Sequence, residues 1–495
     1  MAGKPAWMTA VAAAGMAVGY AQLPPPQAET PAARLINLNV VAIGAHDQPV
    51  ADLTADDFTV TDAGKRQNIV FFRRNGDVPR RVATIGPREF TNRGSGGSAH
   101  ATVILFDRMN DSMGPSGAAL DELGHALERV ETGSDLYLYY FTKQGKLYPV
   151  RPMPGGDTAA PAVRSNTWTR DAKAIIEAAN NATFGMRALG IDEGQLIVMT
   201  YHMVGVLARQ MAEIPGRKSL VWITHGVPIV IRDVGGQPYD FTPYLRRLCA
   251  QLDRANVALY PVQQTPPGMA TAGMPEAQHS GLGSEDTLQQ FADLTGGRAS
   301  PGGEIGAVLQ HAMNDVRTSY QIAYQPSDAN WNSKFHKLKV TCTRKGVKVQ
   351  AKTGYFAWPE EAVDEREAFG SLVESPTDAA EIGLRVGATP RADVVHLVMK
   401  IDASDVALVR QGDAWTGSLR MAIAAYNAEG QAQVSSVTPF DLKLTAAERE
   451  EALKNGMGYE HDVKLGAVVR RVRVIVLDSR LGTAGSVTVP MEKVM

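Results

Sequence analysis

Cysteine is almost absent from this chain, with only Cys249 and Cys342 among 495 residues. There is no C-x-x-C pair, so thiolate zinc sites and iron–sulfur clusters of the usual spacing are excluded. Cys249 lies in a helical pattern beside Leu248 and Leu252, which predicts a free, buried thiol rather than a disulfide with Cys342. An excess of one charge is missing too. The 50 Lys+Arg are balanced by 52 Asp+Glu, a formal net charge of −2. With no contiguous basic run, no nucleic-acid partner is expected, because such binding rests on neutralising phosphates. Beyond the N-terminus no stretch reaches ~18 apolar residues without a charge, so no transmembrane segment is expected in the mature chain. The recognisable catalytic signatures are missing as well. There is no G-x-S-x-G elbow and no H-E-x-x-H, and neither cysteine has a protease-like context, so no enzymatic activity is expected.

What remains is ordinary core-forming material, 44% hydrophobic and 21% charged. At roughly 150 residues per domain the length suggests about three domains. The opening MAGKPAWMTAVAAAGMAVGYAQ has one basic residue, an Ala-rich apolar run and small residues near Ala21. That order reads as a signal peptide over 1–21 and places the protein as secreted or periplasmic. A Pro-rich leader covers 22–34.

Three organisational regimes follow. From Leu35 the pattern is β, with FTVTDAGKRQNIVFFRR reading as strands around Asp62-Ala63-Gly64. From Ala101 short, continuous apolar runs (ATVILFD, SLVWIT, VALYPV) alternate with amphipathic helices such as GAALDELGHALERVE. Such alternation implies a largely parallel sheet whose ligands sit beyond the strands' carboxyl ends. Asp107, Thr224 and the loop after Val262 fall on that edge. Period-2 runs return at Tyr320, and too few strands lie on either side to make a stable sheet alone. The expectation is a small β domain from 35–80 with 318–358, split by an inserted α/β domain at 99–317. A charged linker spans 359–378. A β-sandwich is expected over 379–495, interrupted by one helix with a Thr445/Glu448 capping box and Gly456 at its end.

The segments PVADLTADDFTVTDAGKRQNI, VILFDRMND, IPGRKSLVWITHGVP, LDRANVALYPV, FADLTGGRA and FHKLKVTCTRKGVKVQAKTGY occur in this order between about residues 35 and 358. Together they resemble the von Willebrand factor A-related domain proteins of the acidobacterial type. The resemblance implies a doubly wound, Rossmann-like von Willebrand factor A (vWA) fold, secretion, and a role in protein binding or cell adhesion. It also implies a metal-ion-dependent adhesion site at the carboxyl edge, which uses a D-x-S-x-S motif, a Thr and a later Asp.

In this chain the motif is degenerate. Asp107 matches, but Met109 and Asp111 stand where the serines belong, and Asn110 and Ser112 offer oxygens one residue out of register. Thr183 in ANNATFG takes the Thr position by order along the chain, and His225 replaces the later Asp. No cofactor is required on this reading. Mg²⁺ or Ca²⁺ held by Asp107, Asn110, Ser112 and Thr183 is the candidate metal set, and zinc on Asp107 and His225 is its rival. Asp107, Asn110, Asp111, Ser112, Thr183 and His225 form the candidate partner-binding edge. The alternatives are a metal-dependent hydrolase at the same edge and an inert structural component of the cell envelope.

Overall fold

The structure is a computed structural model. It describes residues 8–11, 21–22, 35–74, 86–93, 100–110, 117–130, 136–153, 172, 174, 176–178, 192–212, 214, 216–232, 236–264, 284–301, 304–327, 331–357, 365–375, 377–391, 394–434, 437–465 and 468–494.

Two short strands, Met8–Val11 and Ala21–Gln22, pair with the late strand Met457–Leu465, and are followed by β1 (Ile36–Ile43), β2 (Phe58–Asp62), β3 (Lys65–Gln67), β4 (Ile69–Arg74) and β5 (Glu89–Thr91). The next stretch contains β6 (His100–Asp107), α1 (Gly117–Arg129), β7 (Leu136–Phe141), β8 (Leu147–Arg151), α2 (Glu193–Ala212), β9 (Arg217–Thr224) and the hairpin β10 (Val230–Arg232)/β11 (Pro238–Asp240). It continues through α3 (Thr242–Arg254), β12 (Val257–Gln263), α4 (Ser284–Thr295), β13 (Ser300–Pro301) and α5 (Ile305–Thr318). Their strands form one mixed sheet in the order β8-β7-β6-β9-β12-β13. The pairs from β7 to β13 are parallel and the β7/β8 edge is antiparallel. Alternation along β6 sends Val103 and Leu105 to a core shared with α2, α3 and α4, while Ile104 and Phe106 pack with α1 and α5.

Four strands follow: β14 (Tyr320–Tyr324), β15 (Phe335–Cys342), β16 (Lys348–Gln350) and β17 (Gly354–Phe356). They pair back onto the first segment. One sheet runs β16-β1-β14-β4 and a second runs β17-β15-β2-β3, all antiparallel. Tyr320, Tyr324, Leu38, Val40, Phe58 and Val60 fill the core between them.

The last part holds α6 (Glu365–Glu374), β18 (Leu384–Arg391), β19 (Val394–Ile401), β20 (Val409–Gln411), β21 (Ala414–Tyr426), β22 (Ala432–Val434) and β23 (Thr438–Leu444). It ends with α7 (Ala446–Asn455), β24 (Met457–Leu465), β25 (Arg471–Asp478) and β26 (Thr483–Pro490). Sheets β24-β19-β18-β5 and β20-β21-β25-β26 face each other across one apolar core. Thr445 and Glu448 close the capping box of α7, and Gly456 takes φ 81° at its end.

The fold class read from the sequence, a doubly wound vWA domain inserted in a small β domain with a C-terminal β-sandwich, is corrected here. Strand outweighs helix, and antiparallel ladders dominate. The chain as a whole is a β-rich, multi-sheet protein in which the mixed sheet is one layer among several. The physical reason is local. Alternating helices and strands hold only between about Ala101 and Thr318, and period-2 segments with short turns, which favour antiparallel pairing, fill the rest.

Buried polar contacts join these layers. The Asp405 carboxylate, fully buried, receives Arg93 and the Gly383 backbone N–H at 2.8 Å and lies 3.5 Å from Arg73. Arg73, on β4, also donates to the Glu381 carbonyl and to Gln321 Oε1 at 2.5 Å on β14. At the amino ends of the parallel strands, Gln350 donates to the Gly296 carbonyl at 3.2 Å and Lys352 pairs with Asp253 at 2.8 Å.

Asp478 shows the cost of burying a carboxylate. It accepts the backbone N–H groups of Ala407 (2.7 Å), Arg480 (2.8 Å) and Leu481 (3.1 Å), yet burial pushes its pKa up to about 6. A folded pKa above the unfolded value means that the folded state binds the proton more tightly, so stability falls as pH rises from about 4 to about 6. The difference is roughly 3 kcal/mol. Urea melts at pH 4 to 7 are expected to show this slope in wild type and a flatter profile in Asp478→Asn; equal profiles would remove the assignment.

Both cysteines are free, Cys249 buried and Cys342 half-buried. Burial, with Asp253 nearby, pushes the Cys249 thiol far above its ordinary range. In the folded protein a maleimide is expected to label Cys342 well before Cys249, and reductant should leave the melting temperature unchanged. Mass-mapped labelling checks this, and faster labelling of Cys249 would contradict it.

Candidate functional site

Three neighbouring parallel strands end together. Phe106 of β6 is in register with Ile223 of β9, which is in register with Val262 of β12. One residue further, the Asp107 carboxylate points inward and is only 2% exposed. Its Oδ1 accepts the Met109 backbone N–H at 2.9 Å. Its Oδ2 accepts Asn110 Nδ2 at 2.7 Å, Thr224 Oγ1 at 2.9 Å and Trp222 Nε1 at 3.1 Å. Burial pushes the Asp107 carboxyl above the ordinary range, against the pull of those four donors.

The network extends outward from there. Asn110 Nδ2 also reaches Thr200 Oγ1 on α2 at 3.1 Å. The Gly226 N–H donates to Thr224 Oγ1 at 3.1 Å, and Gln264 N–H donates to the Thr224 carbonyl at 2.8 Å. Gln263 Nε2 approaches the His225 carbonyl at 3.4 Å. Asp107 therefore fixes the turn after β6, the turn after β9 and, through Asn110, the second turn of α2.

Of the residues expected from the sequence, Asp107 and Asn110 are brought together, and His225 sits half-exposed at the end of the adjacent strand. Asp111, Ser112 and Thr183 lie outside the described residues. Trp222 and Thr200 were not foreseen. Trp222 shares a strand face with Thr224, two residues on, and that spacing is the unused signal by which it was findable. Thr200 lies in the middle of a helical pattern and gave no signal.

The described residues do not fit a divalent cation at Asp107. A Mg²⁺ or Ca²⁺ ion needs converging oxygen acceptors, whereas this carboxylate is surrounded by N–H and O–H donors. Among the described residues no group of three or more His, Cys, Asp or Glu is placed to hold a metal. Zinc on Asp107 and His225 meets the same obstacle, because the Asp107 oxygens are already engaged. The hydroxyl, indole and amide around Asp107 make it an organiser of loops, with no reacting atom exposed.

No protein-family model matches the chain, and no curated protein matches it. These comparisons give the von Willebrand factor A-related resemblance no support. Among solved structures, the chain is similar to three N-terminal domains of the type V pili tip protein Mfa5 from Porphyromonas gingivalis. The likeness has 9% identity and a TM-score of 0.19 over 94% of this chain and 78% of that one, too low to bear on fold or function. Among the described residues no helix is long and apolar enough to cross a membrane.

Proposed function

We propose that the protein is a secreted or periplasmic binding protein, not an enzyme, that holds another protein through the loops at the carboxyl edge of its mixed sheet. The observation that supports this reading is the saturated, buried Asp107. A carboxylate with four internal donors neither reacts nor coordinates; it holds Asn110 and the turn carrying His225 in fixed positions, half-exposed, where a partner can meet them. The opposite end of the same strands is covered by Gln350 and Lys352. Preorganised loops on a rigid sheet reduce the ordering cost of association.

The test pairs calorimetry with capture. Titrating Mg²⁺, Ca²⁺ and Zn²⁺ into the full chain should give no heat beyond dilution, and an Asp107-dependent heat would favour the metal-dependent hydrolase instead. A protein retained from envelope extracts by wild type should be lost by the Asn110→Ala/His225→Ala double variant. Retention that survives this pair but is abolished by Leu453→Asp, on an exposed side chain of α7, would favour a structural component that assembles through its C-terminal sheets.

A further inference from the structure

Between Lys334 and Lys352 every charged residue is Lys or Arg, and none is Asp or Glu. The run does not read as a basic block because it is a strand, in which only every second residue shares a face. On β15 the side chains of Phe335, Lys337, Lys339 and Thr341 are all exposed, while Leu338 between them is buried in the core. The register continues this face across the sheet. Lys339 lies opposite Thr61 and Thr341 opposite Thr59 on β2, and Thr61 lies opposite Arg66 on the edge strand β3. Two other cations of the stretch are neutralised: Arg344 sits 2.7 Å from Asp52 and 3.6 Å from Asp57, and Lys352 pairs with Asp253. Among the described residues Lys337, Lys339 and Arg66 have no acidic partner. A chain of net charge −2 thus carries an unpaired cationic sheet face.

An aromatic side chain stands at one end of that face. Phe335 is 45% exposed. Its neighbour Phe356 lies tilted against it, at 5.2 Å between centroids and 56° between planes. The Arg246 guanidinium lies over the Phe356 ring at 4.9 Å. A tilted pair with one ring face already covered is a poor platform for stacked bases, which need successive open ring faces. One exposed phenyl ring, lying across Gly354 among lysines, matches a bilayer surface, where headgroup phosphates take the cations and the interface takes the ring.

We propose that the β17-β15-β2-β3 face docks peripherally on an anionic phospholipid surface, with Lys337, Lys339 and Arg66 on headgroup phosphates and Phe335 at the acyl boundary. This surface is separate from the carboxyl-edge loops, so the two readings stand or fall independently. The full chain should co-sediment with phosphatidylcholine vesicles containing phosphatidylglycerol and ignore pure phosphatidylcholine, and added salt should release it. Each cation near such a surface contributes roughly fivefold to partitioning. Lys337→Glu/Lys339→Glu should therefore lose at least about tenfold with an unchanged melting temperature. Phe335→Ala should weaken binding while leaving its salt dependence intact. If the double variant fails to fold, Arg66→Gln on the edge strand gives a smaller loss by the same logic. Equal binding to both vesicle types, unaltered binding of folded variants, or no binding to either would overturn the proposal. So would capture of heparin or single-stranded oligonucleotide without vesicle binding, which would assign the face to a soluble polyanion.

Discussion

Asp107→Ala is expected to lower the free energy of unfolding by about 3–5 kcal/mol, measured by urea or guanidinium titration. The substitution removes few apolar contacts. What it removes is the acceptor for Trp222 Nε1 and Thr224 Oγ1, both on fully buried side chains, and for Asn110 and the Met109 N–H. Each buried donor left unsatisfied costs roughly 1–3 kcal/mol. Asp107→Asn preserves one oxygen but turns an amide N–H toward donors, so an intermediate loss is expected. Trp222 fluorescence provides a second readout, since its indole N–H loses its partner. A folded Asp107→Ala protein of wild-type stability would show that the four hydrogen bonds are not made in solution, and the loop-organising role would fall with them.

The second large effect is expected at Asp405. Replacing it with Ala leaves Arg73 and Arg93 facing a buried site without their anion, a loss of about 3–5 kcal/mol. The location matters as much as the size. Arg73 belongs to β4, in the sheet built from the two ends of the interrupted segment, whereas Gly383 and Glu381 precede β18 in the last part of the chain. Leu35, Phe71 and Ala323 meet Ala407, Val409 and Leu481 in the apolar cluster that joins these same two regions. The variant is therefore expected to separate one cooperative unfolding transition into two, visible by calorimetry. A single transition displaced only slightly would argue that the apolar cluster alone carries the coupling.

Much of the local structure was legible in the sequence. ATVILFD, SLVWIT and VALYPV announce buried strands by being apolar without a break, and they are β6, β9 and β12. The Thr445/Glu448 pair announces the start of α7, and the Leu248–Leu252 spacing announces the buried face on which Cys249 sits. The overall class was not legible, because one stretch of alternating helix and strand says nothing about how many antiparallel ladders surround it. The site was half legible. Asp107 stood out as a carboxylate ending a buried strand, but a carboxylate waiting for a cation and one saturated by donors look alike in sequence. Only the positions of Trp222 and Thr200, set by packing across elements, separate the two. The cationic face escaped for a different reason. Net charge and contiguous runs do not register a pattern in which lysines alternate with core residues.

The split of the first β segment also has a consequence in time. β4 ends at Arg74, and its partner β14 begins at Tyr320, directly opposite it in the ladder. A ribosome adding about 5–20 residues per second needs roughly 10–50 s to make the intervening chain. Throughout that interval Ile69, Val70, Phe71 and Phe72 have been synthesised without the strand that covers them. Such a run, rich in β-branched and aromatic residues, is prone to pair with other chains. Arg73 and Arg74 follow it immediately, in the flanking position where charged residues restrain premature association. Arg73 thus serves the nascent chain before it meets Asp405 in the folded one.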